Sequence, residues 1–108
     1  MLLTPFVADA QDEKTQAFVS AYEEKFGETP NQFAADAYDA MYIIKAAAEQ
    51  AGVTPDMSVS DICEAMKTAM TEITVDGLTG EGMTWDADGE PTKAPKAMKI
   101  VDGAYTAM

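Results

Sequence analysis

The sequence predicts an α/β chain of three helices and a few short strands, which as an isolated unit reads as α+β. Three observations carry this. Apolar residues recur at helical spacing over three stretches before residue 71, cap residues and glycines mark the ends of those stretches, and the apolar period shortens to two residues after residue 71. The chain has 108 residues, of which 47% are hydrophobic. That is enough for one core and too short for two independent domains.

The elements follow in order. Residues 2–7 read as a short strand through Leu3, Phe6 and Val7, with Pro5 confining it to a sheet edge or a strand end. Asp9 and Asp12 precede a first helix in which Phe18, Tyr22 and Phe26 recur at i, i+4 and i+8 with Val19 beside them, and Gly27 supplies its stop. Thr29-Pro30-Asn31-Gln32 reopens the chain with an N-cap candidate, a proline at the first helical position and a Gln placed to close a capping box. A second helix then runs from about Asn31 to Ala51, with Gly52 ending it. Its buried stripe is expected at Phe33, Ala37, Met41, Ile44, Ala48 and Ala51, and its many alanines favour helix and close packing, making it the most buried helix. A third helix begins near Ser58, with Asp61 placed as in a capping box and an apolar face of Val59, Ile62, Cys63, Met66 and Met70.

Glu72 to Val75 reads as a strand, followed by the glycine-rich bend Asp76 to Gly82 and a second short strand, Met83-Thr84-Trp85. Asp86-Ala87-Asp88-Gly89-Glu90 is a turn, Pro91 to Pro95 a loop, and Lys96 to Val101 a last alternating strand before the turn signal Asp102-Gly103. On this reading residues 1–75 hold a strand and three helices, and residues 76–108 a glycine-rich crossover and terminal strands. The first strand begins at residue 2, and a doubly wound domain needs more βα units than these, so the chain is expected to be one portion of a larger fold.

Composition removes several functions. There is no His and a single Cys, Cys63, so this chain alone cannot build a Cys/His zinc site, a Cys-ligated iron–sulfur cluster, a Ser-His-Asp triad, a Cys-His pair or an internal disulfide. Seven Lys+Arg against 19 Asp+Glu give a net charge of −12, which repels a phosphate backbone and excludes nucleic acid as a partner. The longest strictly apolar run, Ala40 to Ile44, is far short of the ~20 residues that span a bilayer. The opening Met1 to Val7 is apolar but lacks a basic leader, so no signal peptide is read in it.

Candidate chemistry is sparse. Asp86 to Glu90 invites a calcium loop, but with Gly89 in register Thr84 falls at position 1 and Pro95 at position 12, so a surface turn is the better account. Gly77 to Gly82 lacks the spacing of a nucleotide-binding fingerprint. Paired acids such as Asp36 and Asp39, or Glu23 and Glu24, arise by chance among 19 acids. Asp36 differs in sitting early in a helix expected to be covered, where a carboxylate must lie at an edge, be capped or face a polar ligand. For Phe33 core packing is the ordinary account, as it is for the eight methionines. Cys63 is expected as a buried free thiol.

An ordered set of motifs is more specific. Thr4-Pro5-Phe6, Phe18-Val19, Tyr22, Phe26-Gly27, Pro30 and Phe33-Ala34-Ala35-Asp36-Ala37-Tyr38-Asp39-Ala40 lead into Asp76-Gly77-Leu78-Thr79-Gly80, Met83-Thr84-Trp85-Asp86, Asp88-Gly89 and Lys99-Ile100-Val101-Asp102-Gly103-Ala104-Tyr105. In that order they resemble the C-terminal third of a type I solute-binding protein of ABC transporters, of the branched-chain amino acid group. The resemblance implies two Rossmann-like lobes closing on a ligand without catalysis. It implies an amino acid or related solute as ligand, an ABC permease as partner, no cofactor and no metal, and an extracytoplasmic parent protein. By motif position Phe33 matches an aromatic that contacts the ligand, and Asp36 one turn on would face the cleft rim. Alone, such a piece is expected to dimerise or exchange strands. The alternative is a small acidic α+β interaction domain, enclosed and monomeric.

Overall fold

The computed structural model describes residues 1–108. It consists of β1 (Leu2–Thr4), α1 (Glu13–Phe26), α2 (Gln32–Ala51), α3 (Val59–Met70), β2 (Lys96–Val101) and β3 (Ala104–Ala107). The strands form one antiparallel sheet in the order β1-β2-β3, with Leu2 opposite Met98 and Met98 opposite Ala107.

Local chemistry sets the helix ends. The Asp12 side chain accepts from the Thr15 N–H to start α1, and Gly27 ends it at φ 73°, a left-handed conformation that favours glycine. For α2 the cap is Asn31, accepting from Ala34 N–H, rather than Thr29, so Pro30 stands outside the helix. Gln32, freed from any capping box, instead accepts at 2.7 Å from the Thr4 hydroxyl and ties the end of β1 to the start of α2. Ser58 caps α3 through Asp61 N–H, and its hydroxyl donates to the Asp61 carboxylate at 2.7 Å.

The strands are shorter than expected. Pro5 ends β1 at Thr4, and Phe6 and Val7 leave the sheet to become buried, at 2% and 3% exposure. Residues 72–75 and 83–85 make single bridges, Val75 to Met83 and Trp85 to Pro91, in place of strands. The ladder stops after one pair because the N–H groups of Glu72 and Ile73 donate back to Ala69 C=O at the end of α3, while Thr84 exchanges its backbone bonds with Thr92. Asp102 and Gly103, both at positive φ (50° and 83°), make the two-residue turn that joins β2 to β3. Asp86 to Glu90 is a turn closed by its own side chain, whose Oδ1 accepts from the N–H groups of Asp88 and Glu90.

The core is divided. Phe6, Val19, Ala35 and Leu78 form one cluster with Ala8 and Phe18 packed against it. Ala47, Ala69 and Ile73 form the other, covered by Ile43, Met66, Met70 and Trp85. Phe18 continues the first cluster outward, its ring 5.9 Å from Phe6 and 4.9 Å from Tyr38, so α1 and α2 meet through aromatic edges.

Two expected faces are corrected here. Phe33, Met41 and Ile44 of α2 are exposed at 70%, 68% and 54%, while the buried positions are Ala35, Asp39 and Ala47. An alanine-rich helix lets a neighbour approach closely, and here the neighbour took the face bearing Asp39. α2 is therefore not a largely buried helix. On α3 the buried residue is Ala69, flanked by Ile62 and Met66, which leaves Val59 and Cys63 in solvent.

Only 15 of the 108 residues are buried, and the radius of gyration is 16.3 Å. A compact chain of this length would have about 13 Å. The extents of 52 × 29 × 20 Å describe an elongated body, not the enclosed globule that the alternative reading required. No helix is long and apolar enough to cross a membrane.

The Asp12 cap gives a first prediction. Partial burial raises its carboxyl pKa, but the hydrogen bonds from Thr15 and the charge of Lys96 outweigh this and hold it below the ordinary 3.8. The ionised cap therefore stabilises the fold fully above pH 3.8, and its contribution fades as the pH falls through the lower native value. Asp12→Ala should lower stability by about 1 kcal/mol at neutral pH. In chemical denaturation followed by circular dichroism, the gap between the two chains should close in acid.

Candidate functional site

The first half of α2 faces the glycine-rich bend, and the contact is built from polar groups. Asp39 is 2% exposed. Its Oδ1 accepts from Leu78 N–H at 2.9 Å, and its Oδ2 accepts from Thr79 N–H at 2.8 Å and from the Thr79 hydroxyl at 2.6 Å. A buried carboxylate is tolerated only when such donors replace its hydration, and three do so here.

Gly77 makes the approach possible. A Cβ built on it would lie 2.6 Å from Asp39 Cγ and 2.7 Å from Oδ1, distances no side chain can occupy. The glycine is required for space, not for a positive φ. The bend closes on itself through Gly77 N–H donating to Gly80 C=O at 2.8 Å, while Asp76 Oδ1 accepts from Gly82 N–H at 2.6 Å.

The network continues outward. Thr79 Oγ1 spends its proton on Asp39 and accepts from the Lys93 ammonium at 2.8 Å. Lys93 also reaches Asp36 Oδ1 at 3.3 Å, with the Lys and Asp side chains 25% and 40% exposed. Phe33, Asp36 and Asp39, at i, i+3 and i+6, step around α2 from its exposed face to its buried one, passing from open solvent to a sealed carboxylate. One turn further, Tyr42 exchanges a hydrogen bond with the Tyr38 hydroxyl at 3.3 Å, and that bond raises the Tyr38 pKa, helped by burial.

Phe33 and Asp36 therefore share one wall. Phe33 is too exposed for core packing to be its role. Asp36 is at an edge, neutralised by Lys93, which meets one of the conditions set for a carboxylate at that position. The sequence reading passed over Asp39 as a chance acid and did not single out Lys93. An acid among alanines, paired with a Gly-Leu-Thr-Gly bend, was the available signal for Asp39. Lys93, 57 residues from Asp36, offered none.

Two open grooves lie beside the network. One, of about 280 Å³, is lined by Leu3, Thr4, Pro5, Lys93, Ala94 and Pro95. The other, of about 390 Å³, runs from Asp12 and Lys14 past Gly77 to Lys96. Neither includes Phe33 or Asp36, so the candidate wall is one side of a space that these residues do not enclose.

Asp39→Ala would leave the two buried N–H groups of Leu78 and Thr79 without partners, at about 1–3 kcal/mol each. Urea denaturation should show a loss of about 3 kcal/mol or more. Gly77→Ala should lower stability by about 1–3 kcal/mol through overpacking against the same carboxylate. Phe33→Ala should change it by less than about 0.5 kcal/mol, since the ring is mostly in solvent.

Among solved structures, a putative branched-chain amino acid ABC transporter protein from Rhodospirillum rubrum is 31% identical, with a TM-score of 0.70 over 99% of this chain. A leucine-binding protein from Thermotoga maritima is 23% identical, with a TM-score of 0.73 over 98% of the chain. A solute-binding protein of an ABC transporter from R. palustris, solved with benzoate, is 18% identical, with a TM-score of 0.75 over 98%. The chain spans 30%, 29% and 28% of these three proteins' own lengths. Among curated proteins none matches it. The sequence profile described as periplasmic binding protein matches residues 1–104. With that match over nearly its whole length and the fold of part of such a protein, the chain belongs to the periplasmic binding protein family.

Proposed function

We propose that this chain forms part of an extracytoplasmic solute-binding protein that captures a branched-chain amino acid or a related small solute and delivers it to an ABC permease. The observation that carries this reading is the α2 wall, where an exposed aromatic, Phe33, stands one turn from a half-exposed carboxylate, Asp36, held by Lys93. An apolar ring beside a Lys–Asp ion pair suits a solute with an apolar side chain and a polar head able to hydrogen-bond to the pair. The likeness to the Rhodospirillum rubrum protein supports the amino acid class. The benzoate complex of the R. palustris protein supports a fold whose ligands vary within small organic acids.

In this reading residues 1–75 give the strand and three helices of a lobe, and residues 76–108 form the crossover and terminal strands. The ligand would favour a closed state by its greater affinity for it, and no bond is made or broken. The exposed α2 face of Phe33, Met41 and Ile44 gives the isolated 108 residues a route to self-association at high concentration.

One wall of a cleft contributes a fraction of the affinity of two. Calorimetry of the 108-residue chain with a panel of amino acids should show no micromolar binding, and micromolar binding would contradict the half-cleft reading. Nuclear magnetic resonance titration with leucine should give saturable shifts in the millimolar range at Phe33 and Asp36, lost in Phe33→Ala. Shifts absent from α2, or unchanged in Phe33→Ala, would remove these two residues from the binding wall.

A further inference from the structure

The far edge of the sheet carries a contact that solute binding does not use. Met108 N–H donates back to Ala97 C=O at 3.2 Å. By the alternation of an antiparallel ladder, the N–H groups of Ala107 and Tyr105 then point away from β2. At Ala107 that outward group is taken. The carboxylate of Asp9, 98 residues earlier, accepts it through Oδ1 at 3.1 Å and Oδ2 at 3.2 Å. Asp9 is exposed, so its carboxylate has water available and does not need this donor.

β3 itself reads Ala-Tyr-Thr-Ala, without the charges or proline that ordinarily blunt an edge strand. A chain of net charge −12 repels its own copies over most of its surface. β2 and β3 carry Lys96 and Lys99 and no acid, so the strands themselves set no carboxylate against those of a copy. Two β3 strands related by a two-fold axis run antiparallel and set uncharged residues against uncharged residues. Tyr105 and Ile100, paired in register and 61% and 60% exposed, would extend that contact on one sheet face.

We propose that Asp9 is a guard on the outer edge of β3: its carboxylate occupies the Ala107 N–H that a second copy of this chain needs in order to add its own β3 as a fourth strand. The guard acts in the sheet and is independent of the α2 wall.

Sedimentation velocity over a concentration series tests it with Asp9→Ala and a charge-matched control, the exposed acid variant Glu28→Ala. Asp9→Ala should self-associate at least tenfold more tightly than Glu28→Ala. Adding Tyr105→Pro, which deletes the other outward N–H while sparing the β2 ladder, should return association to the wild-type level. Equal association of Asp9→Ala and Glu28→Ala overturns the proposal, and so does association that survives Tyr105→Pro, which would belong to the α2 face. If Asp9→Ala lacks the native circular dichroism spectrum, amide exchange in the wild-type chain decides. The guard requires Ala107 to exchange at least tenfold more slowly than Tyr105, and equal rates overturn it.

Discussion

A single buried carboxylate fixes how this chain is arranged. Asp39 takes the N–H groups of Leu78 and Thr79 and the Thr79 hydroxyl, and it can do so because Gly77 has no side chain. Sealed from water, it cannot turn outward once the bend is seated, and the bend cannot leave without stranding it. From this contact follow the rotation of α2, the burial of Leu78 in the first core cluster and the position of Thr79 under Lys93. The Lys93 link to Asp36 then carries the constraint from the interior to the exposed wall. A structural group and a candidate binding group are thereby coupled through one hydroxyl.

The cost of that choice is visible on the other side of α2. With Asp39 turned inward, Phe33, Met41 and Ile44 are turned outward, and the two core clusters remain small and separate. An elongated body with large apolar side chains in solvent suits a piece of a bilobal receptor better than a self-contained domain, since the same surfaces serve there as walls and packing faces. The sheet is similarly open, and its outer edge is held by a carboxylate instead of a neighbouring strand.

How much of this was legible in the sequence depends on how local each determinant is. The ends of the helices were readable because Asp12, Gly27, Gly52 and Ser58 act within a turn of where they stand. Asn31 and not Thr29 caps α2 although both are capable caps, and the Thr29 hydroxyl is instead committed to the Glu23 carboxylate at 2.7 Å. Which face of α2 is buried was not readable, since alanines surround the helix and the deciding partner lies some 40 residues away. The same holds for Cys63, exposed because α3 packs through Ala69, Met66 and Met70. The strands at 72–75 and 83–85 had suitable side chains, but strand formation needs free backbone groups, and the end of α3 had claimed those of Glu72 and Ile73 while Thr92 had claimed those of Thr84. For the wall, Phe33 and Asp36 were named from motif position, whereas Lys93 became visible only in three dimensions.

Native-state amide exchange at Leu78 and Thr79 tests most directly whether Asp39 locks the glycine-rich bend to α2. Both amides belong to a bend, which ordinarily exchanges fast. The lock requires them to exchange only as slowly as the helix interior of α2, opening with the whole molecule. Exchange of Leu78 and Thr79 at the rate of the exposed neighbour Glu81 would contradict it.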